Sequence, residues 1–216
     1  MNIILFGPPG AGKGTQADNL VKHFKLYKIS TGDLLRKEIQ KKSRLGHEIK
    51  SIIDKGNLAS DDIINNLIEK ILSNKEHLNK LIFDGYPRNL NQSVHLDTLI
   101  KKYNQEISCV FYLNVDEDIL TKRILGRMTC AKCGLSFNEF FNPPNKENHK
   151  CASSFLKKRT DDNEQTIKKR FDTYSRQTLP VLEYYSKQEI LHKVDGNRQI
   201  DQINEEIRGI IASLEA

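Results

Sequence analysis

The sequence predicts an α/β protein built on a doubly wound parallel sheet, and two observations support this prediction. Short continuous apolar runs alternate along the chain with longer stretches of helical periodicity. Strands buried on both faces read as such runs, and their alternation with helices implies right-handed crossovers. In addition, the first apolar run leads directly into a glycine-rich loop. The length of 216 residues suits one main core with small insertions.

Two stretches interrupt the alternation of strands and helices. The first contains two short predicted helices, 33–40 and 45–54, and the second contains three of the four cysteines. We therefore expect a core of residues 1–29, 60–127 and 160–216, an insertion of residues 30–59 and a small lobe of residues 128–159. The predicted strands of the core are 2–6, 26–29, 81–83, 108–115 and 190–194.

Composition limits the function classes. No apolar run approaches the roughly 18 residues of a membrane span, and no leader precedes the first strand, so we expect a cytoplasmic protein without a membrane partner. The formal net charge of +6 suits a phosphate-bearing partner. Because most lysines lie on amphipathic helices, charge alone does not separate a nucleotide enzyme from a nucleic-acid binder.

The glycine-rich loop is the most informative motif. Residues 7–15 read Gly-Pro-Pro-Gly-Ala-Gly-Lys-Gly-Thr. A strand, a glycine loop and a helix in this order present backbone N–H groups to a polyphosphate, and Lys13 reaches the outer phosphates. An ordinary tight turn would need neither the lysine nor the threonine. The hydroxyl comes one residue later than in the common phosphate-loop pattern, at Thr15, which resembles nucleoside monophosphate kinases more than GTPases.

Two further motifs follow predicted strands. Residues 30–36 read Ser-Thr-Gly-Asp-Leu-Leu-Arg, in which Thr31 can cap the next helix and Arg36 can clamp a phosphate. Residues 83–92 contain Asp84 and Arg88. Because the carboxyl ends of parallel strands share one crevice, both should face the glycine loop, where Asp84 can hold the waters of Mg²⁺.

Taken together, these motifs resemble the adenylate kinase family over essentially the whole chain. The same order is continued by Arg-Ile-Leu-Gly-Arg at 123–127, Arg-Thr-Asp-Asp-Asn-Glu at 159–164 and Val-Asp-Gly at 194–196. The resemblance implies reversible transfer of a phosphoryl group from ATP to AMP, giving two ADP. It also implies Mg²⁺ bound with ATP, a monomer, an AMP-binding insertion at 30–59 and a lid at 128–159.

The resemblance also implies roles for individual residues. The expected ATP-binding residues are Gly10, Ala11, Gly12, Lys13, Gly14, Thr15, Arg123, Arg127, Ser136, Phe137 and, through its backbone near the adenine, Arg198. The expected AMP-binding residues are Thr31, Arg36, Asn57, Leu58, Ala59, Gly85, Tyr86, Pro87, Arg88, Gln92, Arg159 and Arg170. The expected catalytic residues are Lys13, Asp84, Arg88, Arg123, Arg127, Arg159 and Arg170.

The cysteines differ in kind. Cys109 lies inside an apolar strand and is interpreted as a small buried hydrophobe. Cys130 and Cys133 have the C-x-x-C spacing of half a zinc site. Zinc-type members of the resembled family carry a second such pair, which this chain lacks. We favour His149 and Cys151 as the remaining ligands; the alternative is Cys151 with Ser154, nearer to the hydrogen-bonded lids of zinc-free members.

Two alternative functions remain at this point. A kinase for another monophosphate, UMP or CMP, would share the fold, although those relatives usually have a short lid. A nucleic-acid-binding module with a zinc knuckle would suit the positive charge. It would leave the 83–92 motif without a role, and the basic residues are scattered along the chain. We therefore expect no nucleic-acid partner.

Overall fold

The computed structural model describes residues 1–215 and has the predicted α/β architecture. Its strands are β1 (Asn2–Phe6), β2 (Tyr27–Ser30), β3 (Leu81–Asp84), β4 (Cys109–Asn114), β5 (Arg127–Cys130), β6 (Ser136–Asn138), β7 (Leu156–Lys157) and β8 (Leu191–Asp195). Its helices are α1 (Lys13–Phe24), α2 (Thr31–Gln40), α3 (Arg44–Ile53), α4 (Asp61–Leu72), α5 (Leu90–Lys102), α6 (Glu117–Leu125), α7 (Glu164–Thr173), α8 (Val181–Ser186) and α9 (Ile200–Glu215). Among the described residues, no helix has the length and apolarity needed to cross a membrane.

The main sheet has five parallel strands in the order β2-β3-β1-β4-β8. All five predicted strands are confirmed, with each boundary within one residue of the prediction. The order reverses next to β1, because the chain moves from β1 out to β2 and β3 on one side and then to β4 and β8 on the other. Ligand crevices in open α/β sheets lie at the carboxyl ends of strands at such a point.

Two buried clusters cover the two faces of the sheet. Ile4 and Phe6 of β1 belong to the cluster beneath α4, α5 and α8, whereas Ile3 and Leu5 belong to the cluster beneath α1 and α9. All four side chains are at most 3% exposed. Double-sided burial explains why β1 has no polar alternation in the sequence. Cys109 of β4 is fully buried, as predicted.

The start of α2 differs from the prediction. Ser30, not Thr31, is the N-cap, and its hydroxyl accepts a hydrogen bond from the Asp33 N–H at 3.4 Å. Thr31 is the first helical residue and donates its hydroxyl to the Gly85 carbonyl at 2.8 Å. The threonine therefore links the end of β2 to the end of β3. Either hydroxyl could cap a helix on sequence grounds, so only the packing distinguishes them.

The lobe contains a small antiparallel sheet in the order β6-β5-β7. Its pairings cover only three residues between β5 and β6 and two between β5 and β7. Strands this short leave no clear period in the sequence, so the pattern of residues predicts none of them.

Candidate functional site

The glycine-rich loop curls between β1 and α1 at the switch point of the sheet. Gly10 and Gly12 have φ values of 84° and 91°, in the left-handed region that glycine adopts without strain. A Cβ on Gly10 would also lie 2.9 Å from the Leu120 carbonyl oxygen. The loop therefore needs glycine at these positions for its conformation, before any ligand is considered.

Lys13 begins α1 and points back over the loop. Its Nζ donates to the carbonyl oxygens of Gly7 at 2.7 Å and Pro8 at 2.9 Å. Burial lowers the pKa of Lys13 to about 7, an effect that Asp84 opposes and that Arg88 and Arg170 reinforce. Two backbone carbonyls thus hold the ammonium in place, and within residues 1–215 it forms no ion pair with a carboxylate.

Two crevices open beside this loop. The first, here called the insertion crevice, lies against the 30–59 insertion, and the second, called the lobe crevice, lies beneath the 128–159 lobe. The two crevices share six lining residues: Pro9, Lys13, Gly32, Arg36, Arg88 and Arg170. Four of the six are cationic, so the boundary between the crevices is positively charged.

The insertion crevice contains most of the residues expected to bind AMP. They come from the first turns of α2, the loop after α3, the segment from the end of β3 into α5, and α7. The lining includes Thr31, Arg36, Asn57, Leu58, Ala59, Gly85, Tyr86, Pro87, Arg88, Gln92 and Arg170. Arg159 was expected with this group but lines the lobe crevice instead. A substrate seated here would contact four separate segments of the chain.

The lobe crevice contains most of the residues expected to bind ATP. Its lining includes Gly10, Ala11, Gly12, Lys13, Gly14, Thr15, Asp84, Arg123, Arg127, Ser136, Phe137 and Arg159. Arg198 does not line either crevice. Its guanidinium pairs with Glu206 and lies 3.8 Å from Asp195, while Ile200 and Ile203 reach the crevice in its place.

The arginines crowd one another. Burial, with the nearby Arg170 as the next cause, lowers the pKa of Arg88 to about 10. Burial likewise lowers the pKa of Arg159 to about 10, with Arg127 as the next cause. These groups stay charged at neutral pH, and Asp161 and Asp162 offset part of their mutual repulsion, so bound anions would relieve the rest. The site is therefore suited to bind several phosphate charges at once.

Two aspartates without a predicted role, Asp161 and Asp162, hold two of these arginines. Arg127 Nε donates to Asp162 at 2.8 Å, and Arg170 Nη1 lies 3.1 Å from Asp161 and 3.3 Å from Asp162. The Asp162 side chain is 1% exposed. Both aspartates belong to the 159–164 motif, so the signal was present in the sequence. Arg170 follows on the next helix, whereas Arg127 lies 35 residues before Asp162.

Lys28 also lines the lobe crevice without a role predicted from the sequence. Its Nζ donates to Asp18 at 2.9 Å and lies 3.8 Å from the Asp84 carboxylate. A lysine within an otherwise apolar predicted strand was the available signal. Its position beside Asp84 places a second ammonium at the carboxylate expected to serve Mg²⁺.

The lobe brings together a cluster that could hold a metal. The ligand atoms of Cys130, Cys133, His149 and Cys151 all lie within 4.8 Å of one another. His149 is 8% exposed, and its Nε2 is buried without a hydrogen-bond partner. Three thiols and one imidazole form a donor set that Zn²⁺ prefers. The residues present therefore fit a zinc ion.

Comparisons with known proteins all identify the same family. A family model described as adenylate kinase matches residues 5–190. An adenylate kinase of Pelagibacter ubique is 48% identical over 211 residues, covering 98% of this chain and 99% of the relative. Adenylate kinases of Enterococcus faecalis and Methanosarcina barkeri are 38% and 40% identical over 213 residues, covering 98% of this chain and 99% and 98% of those relatives. With its glycine loop, its paired crevices and full-length similarity to these proteins, the chain belongs to the adenylate kinase family.

Proposed function

We propose that the protein transfers the terminal phosphoryl group of ATP to AMP, reversibly, giving two ADP. The observation that carries this proposal is the cationic boundary shared by the two crevices. Lys13, Arg36, Arg88 and Arg170 line both of them. Two anionic nucleotides can therefore approach each other there with their phosphates in contact with the same positive groups.

We assign ATP to the lobe crevice. Residues 10–15 would bind its phosphates, and Arg123, Arg127, Ser136 and Phe137 would complete its site. We assign AMP to the insertion crevice through Thr31, Arg36, the 57–59 segment, residues 85–88 and Gln92. Arg170 would contact both nucleotides. Arg159 would act from the lobe side, and Arg198 would contribute through its backbone.

Phosphoryl transfer asks for in-line positioning and charge neutralisation more than for covalent chemistry. Lys13, held by the Gly7 and Pro8 carbonyls, would stabilise charge on the transferred group. Arg88 and Arg170 would neutralise the equatorial oxygens from the AMP side, and Arg123, Arg127 and Arg159 from the lobe side.

The Asp84 carboxylate, which is only 14% exposed in the lobe crevice, offers the oxygen donors that Mg²⁺ prefers. Bound with ATP, the ion would supply Lewis-acid stabilisation of the phosphate charge. Asp84 would hold its water ligands in a fixed orientation, and Lys28 would keep the carboxylate in place.

We further propose that residues 128–159 form a lid stabilised by Zn²⁺, that residues 30–59 form the AMP-binding insertion and that the rest is the core. Cys130, Cys133, His149 and Cys151 would be the zinc ligands. This set already offers four donors, whereas Ser154 is exposed in a short helical turn. A hydroxyl is also a poorer zinc ligand than an imidazole.

A coupled assay of ADP formation tests the proposed reaction. The purified protein is offered ATP and Mg²⁺ with AMP, UMP, CMP or GMP as acceptor. We expect AMP to be used with a kcat/KM at least about 100-fold above that of the others, since a site built to bond polar groups rejects mismatched bases strongly. A preference for UMP or CMP would overturn the assignment. Absence of phosphoryl transfer to any acceptor would overturn the enzyme itself.

A further inference from the structure

Gln92 is a buried amide whose orientation the structure fixes. Its side chain lines the insertion crevice and is 2% exposed. Its Oε1 accepts a hydrogen bond from the Arg88 backbone N–H at 2.8 Å. Its Nε2 donates to Asp61 Oδ1 at 2.7 Å. A backbone N–H can only donate and a carboxylate can only accept, so only one of the two amide orientations satisfies both partners.

Asp61 is itself held from the other side. It is the first residue of α4, and the Asn89 Nδ2 donates to its two carboxylate oxygens at 3.0 and 3.3 Å. The Asn89 Oδ1 is in turn fixed as an acceptor, because it caps α5 by accepting the Gln92 N–H at 2.8 Å. Asp61 does not line either crevice. It stands behind Gln92 and acts on the crevice through that amide.

The fixed orientation determines which base edge the amide can bind. With one lone pair and one N–H already used, Gln92 has one acceptor site and one donor site left. The pairing edge of adenine offers the complement, a donating 6-amino group beside an accepting N1. Hypoxanthine offers the reverse, an accepting O6 beside a donating N1–H. To bind it, the Gln92 amide would have to flip, turning its oxygen toward Asp61 and its NH₂ toward the Arg88 N–H.

We propose that Asp61 is a positioning residue that determines base specificity, because it locks the Gln92 amide in the orientation that is complementary to adenine. The inference rests on the proposed function, in which the insertion crevice binds AMP. It assigns the rejection of 6-oxopurines to a carboxylate outside the crevice. In the flipped state the Gln92 oxygen would face the Asp61 carboxylate, and the Gln92 NH₂ would face the Arg88 N–H. These buried polar groups would lose their hydrogen bonds, and such a loss discriminates strongly between two ligands.

The test compares AMP with IMP, which differ only at the 6-position and N1. KM and kcat for both acceptors are measured at saturating ATP in wild type and in Asp61→Ala. We expect KM for AMP to rise about tenfold, as for loss of a hydrogen bond to a charged group. The ratio of kcat/KM for AMP to that for IMP should fall about tenfold, and KM for ATP should not change.

Two further variants make the test specific. Asp62→Ala removes the neighbouring exposed carboxylate from the same first turn of α4 and should match wild type in every parameter. Asp61→Asn keeps the side-chain volume, and its amide can either accept from Gln92 or donate to it. It should therefore lower the AMP-to-IMP ratio while raising KM for AMP less than Asp61→Ala does. This variant also covers the case in which Asp61→Ala does not fold.

An unchanged AMP-to-IMP ratio in both Asp61 variants would overturn the inference, even if KM for AMP rose, because a purely structural role would affect both acceptors equally. Gln92→Ala separates this failure from failure of the site assignment. If Gln92→Ala raises KM for AMP at least about tenfold while the Asp61 variants keep the ratio, only the role of Asp61 is wrong. If Gln92→Ala leaves KM for AMP unchanged, the AMP site itself is misassigned.

Discussion

The glycine-rich loop and the lobe both line the lobe crevice, but different interactions hold the two regions in place. The loop joins a fully buried strand to α1, and the clusters on both faces of the sheet fix its two ends. In the lobe, by contrast, only Cys130, Phe137 and His149 are buried among residues 128–159. The rings of Phe137 and His149 meet edge to face, with centroids 4.9 Å apart.

The difference indicates what stabilises each region. Three buried side chains cannot offset the conformational entropy of about thirty residues, so the lobe needs a cross-link that the core does not. Two of the three, Cys130 and His149, are also proposed zinc ligands. Phe140 and Phe141 remain 61% and 45% exposed, and Arg123 lies over the Phe141 ring. Lobe and core should therefore respond differently to the same perturbations.

The largest expected effect is on the loop side. Lys13→Ala should reduce turnover by roughly 10²–10³, the scale of losing one preorganised charge donor. The fold should persist, because the side chain faces the crevices rather than the clusters. Steady-state kinetics and circular dichroism measure the two expectations. Turnover within a few-fold of wild type would show that the loop lysine does not serve catalysis.

The second prediction concerns pH. Because burial lowers the pKa of Lys13 to about 7, the free protein carries this lysine largely neutral at pH 8 to 9. Bound phosphate favours the charged form and raises the pKa, so ATP binding takes up a proton. Affinity should be greatest below pH 7 and fall as pH rises, by no more than about tenfold per pH unit.

Calorimetry in buffers of different ionisation enthalpy measures this proton uptake between pH 7.5 and 9. Lys13→Met is the control, since it should bind ATP more weakly but without the lysine-linked proton. Equal proton uptake in both proteins would assign the linkage to another group.

On the lobe side, we expect about one zinc per chain. Structural zinc contributes roughly 10–16 kcal/mol of apparent binding energy in isolated peptides, much of which offsets ordering. Chelation should unfold the lobe and lower activity, because Arg123, Arg127 and Arg159 flank it, while the sheet stays folded. Elemental analysis and hydrogen exchange read out these two effects.

Single substitutions at the proposed zinc ligands test the ligand set. His149→Ala should lose zinc about as readily as Cys151→Ala, whereas Ser154→Ala should retain it. Full zinc content in His149→Ala, or no zinc in wild type, would contradict the proposed set.

The smallest effect on activity is expected in the core. Ile207 of α9 is fully buried against the sheet, and Ile207→Ala should cost about 2–5 kcal/mol of unfolding free energy through the cavity it leaves. Denaturant titration should show one cooperative loss, with kcat of the folded protein near wild type. If this variant instead loosened the lobe first, the separation between the two regions would fail.

Short sequence motifs predict much of the fold and the position of the site. The continuous apolar run of β1, the glycines of the loop and the C-x-x-C pair each act within a few residues, so the fold class and the position of the glycine loop followed from the sequence. What the sequence could not decide were choices between equivalent local options. Ser30 and Thr31 are both able to cap α2, and only the contact of Thr31 with Gly85 separates them.

Pairings between distant residues were decided by the tertiary structure alone. Asp162 holds Arg127 from 35 positions away, and Asp61 orients Gln92 from 31 positions away. The side chain of Arg198 pairs with Glu206 and does not line the lobe crevice. No spacing rule relates such residues, because their proximity arises from the order of strands and the packing of helices on the sheet. The sequence by itself therefore determined which chemical groups are available, and the fold determined which of them meet.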